Sequence, residues 1–243
     1  LDFPTRRDSV YCTLGTLQPH FSHTLDTVNR RAGTTMKSRR GEDRREKILM
    51  EAEAIILKKG FSATSIDDIL EKSHITKGGF FYHFSSKTDL ARALIESFIE
   101  KDDKIFRGLA DRAKSLTEDP LQQLLLFLNL LAETMENLED LHPGCLVASF
   151  TYESQQIDEG VSELITQSLL RWREFFSDLI NQLVTRYGKP ADIEVDDLAD
   201  MLSAIIEGGI IVSLVFKDKM TLVKTIRHYR NYIRLLFVTP TPV

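Results

Sequence analysis

From Asp43 onward, apolar residues recur every three to four positions along this chain, the period of a helix with one buried face. Ile48, Ala52, Ile55 and Ile56 set the first stripe, and Gly60 closes it as a C-cap. Thr64-Ser65-Ile66-Asp67-Asp68 then offers a hydroxyl N-cap with an acid three residues on. The spacing predicts a short helix to about Lys72, with Ile66, Ile69 and Leu70 inward. A tight turn through Ser73-His74-Ile75 follows. Thr76 caps a second short helix, Lys77 to about Phe84, which buries Phe80, Phe81 and Phe84. Ser86 with Asp89 opens a long helix reaching about Phe106.

The remainder keeps the same period. Leu121, Leu124, Leu125, Leu128, Leu131 and Met135 mark a helix ending near Asp140. His142-Pro143-Gly144 breaks the chain, and a short helix starts from Cys145. Val161, Leu164, Ser168, Trp172, Phe175, Leu179, Leu183 and Tyr187 run until Gly188-Lys189-Pro190 stops them. Two more helices follow, with stripes from Val195 to Phe216 and from Leu222 to Phe237. There is no alternating strand pattern and no internal repeat, so the fold class is all-α. A three-helix helix-turn-helix head at 41–88 joins a larger helical domain at 89–243.

Residues 1–40 lack any period, mix Pro4, Gly15, Pro19 and Gly33 with Ser and Thr, and end in Lys37, Arg39 and Arg40. They read as a disordered, basic-ended tail, with Met36 a candidate natural start. His20 and His23 in this tail give no metal-ligand spacing.

Charge sharpens the division. The whole chain carries −5, yet residues 36–88 hold 11 basic and 8 acidic side chains, whereas 89–243 hold 16 basic and 25 acidic. A positive head on an acidic body suits a phosphate-binding module attached to a domain that does not touch DNA. No uninterrupted apolar run approaches the ~18 residues of a membrane span, and no basic segment followed by an apolar stretch marks a secretory signal. Cys12 and Cys145 are the only cysteines. Two thiols exclude a disulfide framework and fit a reducing cytoplasm. The expectation is a cytoplasmic protein with no membrane contact.

The informative stretch is TSIDDILEKSHITKGGFFYHFSSKTDL, from Thr64 to Leu90. Its ITKGGFFYHFSSKTDL portion resembles the recognition-helix signature of the TetR/AcrR transcriptional regulators. The upstream RREKILMEAEAIILKKGFSATSIDDIL is similar to that family's first two helices, and the likeness is strong over about residues 43–105. It implies a homodimeric repressor that holds a palindromic double-stranded DNA operator and is released by a small-molecule or oxidant effector.

The resemblance gives each position a job that its chemistry permits. Thr76 and Lys77 open the second short helix, where a hydroxyl and a cation reach base edges or phosphates. Gly78 and Gly79 let the helix approach the groove. Tyr82 and His83 donate to phosphate oxygens, and Lys87 adds a phosphate contact at the next helix start. Thr64 and Ser65 cap the first short helix and are placed to touch the backbone. Arg39, Arg40, Arg44 and Arg45 suit a minor groove or phosphates, and equally a solvated basic tail.

In the body, the resemblance implies that residues 194–216 and 220–237 form a four-helix bundle with a second copy. The first of these is apolar on nearly all sides, and Gly208-Gly209 permits close packing. An effector pocket would draw on Phe127, Met135, Cys145, Phe150, Tyr152, Trp172 and Phe176, with Glu153 and Gln156 as polar anchors; the same aromatics also suit an ordinary core. Cys145, at a helix start beside His142, is a candidate low-pKa oxidant sensor or a small buried hydrophobe. No HExxH, Cys/His spacing, phosphate-binding glycine loop or Ser-His-Asp arrangement is present, so no catalytic residue, metal or cofactor is expected. The rival reading is a helical small-molecule-binding or enzymatic domain without DNA binding.

Overall fold

The computed structural model describes residues 36–153, 157–190 and 192–238. Among them are nine helices and no strand: α1 (Met36–Lys59), α2 (Ile66–Ser73), α3 (Lys77–His83), α4 (Lys87–Lys114), α5 (Pro120–Glu136), α6 (Leu146–Tyr152), α7 (Glu159–Tyr187), α8 (Val195–Phe216) and α9 (Met220–Val238). The expected tail at 1–35, the side chains of Arg39 and Arg40, and Gln156 lie outside the described residues.

Three boundaries differ from the sequence reading. α1 begins at Met36, ahead of the apolar stripe that opens at Asp43; the polar stretch Lys37–Glu42 carries no period that would reveal it in the sequence. α4 continues past Phe106 to Lys114, its core face carried by the small residues Ala110 and Ala113. α5 stops at Glu136, where Asn137 serves as C-cap and its N–H bonds back to Glu133 O.

Side-chain caps fix the starts of the head helices. Ser65 and Asp68 form a reciprocal capping box, Ser65 Oγ accepting from Asp68 N at 3.1 Å and Asp68 Oδ2 accepting from Ser65 N at 2.7 Å. Lys59 reaches the same carboxylate at 2.7 Å, tying the end of α1 to the start of α2. Thr76 accepts from Gly79 N at 3.2 Å and Ser86 from Asp89 N at 3.0 Å.

Two hydrophobic cores result. One joins the head to part of the body: Ile48, Ala52 and Ile56 of α1, Ile69 of α2, Phe80 and Phe84, and Leu90–Ile99 of α4 pack with Leu146, Val147 and Phe150 of α6 and Val161 and Ile165 of α7. The other fills the bundle of α5, α7, α8 and α9 with the end of α4. Trp172 packs against both. The head's core therefore continues through α6, beyond the break at residue 88 that pattern alone suggests.

α8 corrects the expectation that nothing here matches a membrane span. It is long and apolar enough to cross a bilayer by length and composition, with a mean hydropathy of 1.9, and only a third of that window is buried. A search for unbroken apolar runs misses it because Asp200 and Glu207 interrupt the segment. Gly209 serves α8–α9 packing within the chain: a Cβ there would lie 2.5 Å from Thr225 Oγ1 and 3.3 Å from Leu222 Cα, whereas one on Gly208 meets nothing within 4 Å. Tyr229 of α9 donates to Leu198 O at 2.7 Å.

Candidate nucleic-acid interface and the cavity behind it

The turn between α2 and α3 is made by His74 in the left-handed conformation (φ 56°), its N–H bonded to Leu70 O. That reversal delivers Thr76 in extended backbone, ready to cap α3. Phe80 and Phe84 anchor α3 from below, fully buried, with ring centroids 5.7 Å apart. The opposite face is open. Thr76, Lys77 and Gly78 are exposed, and Tyr82 is 82% exposed, unusual for an aromatic that could pack. Phe81, expected in the core, is 44% exposed, because α3 has only seven residues and one inward face, already filled by Phe80.

The two glycines do different work. Nothing lies within 4 Å of a Cβ built on Gly78, so its outer side is free for a close neighbour. A Cβ on Gly79 would lie 2.9 Å from Ile75 Cγ2, so its smallness serves the turn itself. Arg44 and Arg45 are exposed on α1, and the Arg45 guanidinium stands 5.4 Å from the Phe84 ring centroid. Burial, then the charges of Arg45 and Arg44, lower the pKa of His83, so these three side chains share one positive neighbourhood beside Tyr82.

Two expected contacts are placed elsewhere. Thr64 is 1% exposed and its hydroxyl donates to Gly60 O at 2.7 Å, leaving the cap of α2 to Ser65. It has no surface to offer a phosphate. Lys87 leans back over the Phe61 ring at 4.2 Å and donates to Ser62 O at 3.4 Å; burial lowers its pKa, with the nearby Glu153 charge opposing the shift.

Behind the head lies a cavity of about 320 Å³ among α4, α5, α6, α7, α8 and α9. Met135, Cys145, Tyr152, Trp172 and Phe176 line it, together with Phe98, Asp102 and Glu207. Phe127 and Phe150 do not. Phe127 sits in a ring cluster with Phe106, Phe175 and Phe176, and Phe150 packs on Phe61 of the head at 4.9 Å. Cys145 is the reverse of an activated thiol. Burial, reinforced by the Glu207 charge, pushes its pKa well up, and burial holds the neighbouring His142 neutral, at about 4. A helix N-terminus cannot lower a thiol pKa when solvent is excluded and the nearest charge is negative.

Glu153 is not a cavity anchor. Its carboxylate accepts the backbone N–H groups of Phe61 and Ser62 at 2.7 Å each, clasping the turn between α1 and α2. Burial works to raise its pKa, but the bonds from Ser62 and Phe61 and the Lys87 charge prevail, leaving it lowered. No sequence signal marks this contact, which joins residues 92 apart. A pair at the α1–α4 contact, buried Glu53 with half-buried Lys101 at 3.3 Å, escapes the sequence for the same reason.

A capped seven-residue helix, seated on aromatic residues and offering a small, cationic and phenolic face outward, defines a helix-turn-helix transcriptional regulator. Comparison with known proteins specifies which kind. The sequence model for bacterial regulatory proteins of the tetR family matches residues 48–94, and that for a tetracyclin repressor-like C-terminal domain matches residues 120–229. The HTH-type transcriptional regulator LmrA of Bacillus subtilis is 28% identical over 184 residues, 74% of this chain and 91% of that protein. The HTH-type regulator YxaF of the same organism is 28% identical over 181 residues, 74% of this chain and 90% of its own. The crystal structure of regulatory protein TetR from Rhodobacter sphaeroides superposes with a TM-score of 0.62 at 25% identity, covering 77% of this chain and 97% of that one. The chain belongs to the TetR family of transcriptional regulators.

Proposed function

We propose that the protein is a repressor whose two copies set α3 into successive major grooves of a pseudo-palindromic operator. The observation that carries this reading is the outward face of α3, where Thr76, Lys77, Gly78 and Tyr82 stand exposed over a buried aromatic base. Lys77 and Thr76 read or grip the groove, and Tyr82 and His83 fix register on phosphates. Arg44 and Arg45 extend the positive surface. The copies pair through residues 194–216 and 220–237, where Ile211, Val212, Leu214, Val215 and Phe216 are exposed on α8 and Tyr232 and Leu235 are exposed on α9. Exposed apolar side chains on both helices favour their use as a site of association.

A small molecule in the cavity releases the operator. Residues of α6 line the cavity, and the next residue after α6 is Glu153, which holds the head. A ligand that shifts α6 therefore moves the clasp, and it favours the state with the weaker hold on DNA.

The test is operator binding against salt. Affinity falls steeply as salt rises, because each phosphate contact releases counterions. Lys77→Ala lowers the magnitude of the log–log salt slope by about 2, one contact per copy, and Tyr82→Ala weakens binding, both with unchanged thermal melting. Wild-type operator affinity in both variants overturns the reading.

A further inference from the structure

The cavity is apolar over most of its wall, and the charges it does contain share one sign. Its lining includes the carboxylates of Asp102 on α4 and Glu207 on α8, and no lysine or arginine. The lining histidine, His142, is uncharged near neutral pH because burial holds its pKa at about 4. Glu207 is half-buried on the predominantly apolar second half of α8, within reach of the Cys145 thiol. Desolvation raises its pKa, so a positive charge set beside it would stabilise the carboxylate. An anion entering the same space meets the like charge of Glu207 in a medium of low dielectric, where the repulsion is far stronger than in water. A neutral ligand gains from the apolar wall alone.

We propose that the effector is an amphipathic cation, an aromatic or branched hydrocarbon body bearing one ammonium-like group, with the charge set against Glu207 and the body against Trp172, Phe98 and Met135. The proposal rests on the cavity being the effector site and adds what that site selects. Asp102, on α4, adds a second carboxylate to the lining. The Cys145 thiol is the partner that the ligand's N–H donors replace. The volume of about 320 Å³ suits a body of one or two rings.

The chain supplies its own reporter, because Trp172 is its only tryptophan and lines the cavity. The experiment titrates the full chain with three probes of one skeleton: 4-phenylbutylammonium, 4-phenylbutan-1-ol and 4-phenylbutanoate, followed by Trp172 fluorescence and by calorimetry. The ammonium binds about tenfold tighter than the alcohol, and the carboxylate binds weakest. Glu207→Gln brings the ammonium to within about threefold of the alcohol and leaves the alcohol's affinity unchanged. Asp102→Asn acts in the same direction and serves if Glu207→Gln melts early. Equal or tighter binding of the carboxylate overturns the proposal, as does an ammonium preference that survives both substitutions, or no response to any probe at millimolar concentration.

Operator release, measured separately by fluorescence anisotropy of labelled DNA, tells the two readings apart. If the ammonium binds selectively and leaves the operator complex intact, the cation site stands and the effector reading falls. If the carboxylate releases the operator, the cavity is an effector site of the wrong selectivity and the cation proposal falls.

Discussion

Glu153 and Phe61 lie 92 residues apart in the chain and are joined by a hydrogen bond of 2.7 Å from backbone N–H to carboxylate. The second oxygen of the same carboxylate takes Ser62 N at 2.7 Å, and the Phe150 ring packs on Phe61 at 4.9 Å. One short helix thus lines the cavity along its length and holds the DNA-binding head at its end. Glu153→Gln keeps the shape but loses the charge and one of the two acceptors, because its amide NH2 then faces a backbone N–H of Phe61 or Ser62. The loss costs about 1 kcal/mol in a partly exposed clasp. Ligand affinity read by Trp172 stays at the wild-type value, while the ligand-induced drop in operator affinity shrinks by about threefold or more. Undiminished release in this variant would remove the clasp from the switching pathway.

The two glycines of α3 separate a DNA-facing role from a structural one. Gly78→Ala places its methyl in open space and gains helix propensity, so the free protein is stabilised by roughly 0.5–1 kcal/mol. The same methyl stands between the helix and the groove, so operator affinity falls. Gly79→Val drives a branched side chain into Ile75, only 2.9 Å from the first added carbon, and costs about 1–3 kcal/mol of stability. Thermal melting and operator titration of the pair check this. A Gly78→Ala protein that is more stable and binds the operator as before would move the interface off this face of α3.

His142 makes stability pH-dependent in a defined window. Its ordinary pKa of 6.5 falls to about 4 in the folded chain because burial excludes water from the imidazole. Between those values the unfolded chain binds a proton that the folded chain refuses, so stability is highest above pH 6.5 and is lost as pH falls toward 4. The full shift corresponds to about 3 kcal/mol. His142→Gln keeps an acceptor for Gly144 N, which bonds Nδ1 at 3.3 Å, and removes the titration. Its melting temperature should change much less than that of wild type between pH 6.5 and 4; parallel curves would assign the acid sensitivity to other groups.

Local features were legible in the sequence and relationships across the chain were not. The helices, the Ser65–Asp68 and Thr76 caps and the turn at His74 each depend on residues within four positions of one another, where side-chain spacing alone decides the geometry. The inward Phe80 and outward Tyr82 follow from the same periodicity. Phe81 broke the rule that phenylalanine is buried because a seven-residue helix has room for one core row. The roles of Glu153 and Glu207 depend on what α6 and α8 meet after folding, and an isolated glutamate in a helical pattern carries no trace of that. Cys145 shows the hazard of reading a site from neighbours in sequence. His142 and the helix start are both present, yet burial and Glu207 reverse the expected shift in acidity.

The apolar edge of α8 gives the last prediction. Val215 and Phe216 are 70% and 69% exposed at its C-terminal end, where Lys217 terminates the helix in the left-handed conformation. Leaving two such side chains in water forgoes the roughly 1.5–3 kcal/mol that each gains when fully buried, so a second copy is the natural cover. Val215→Glu introduces a charge into the proposed pairing surface, and its desolvation there weakens the pair without touching the core. Analytical ultracentrifugation should show the wild type as a dimer and the variant shifted to monomer at micromolar concentration. Operator affinity should collapse with it, because each head alone holds only half a site. A Val215→Glu chain that sediments as a dimer would place the pairing surface elsewhere than this end of α8.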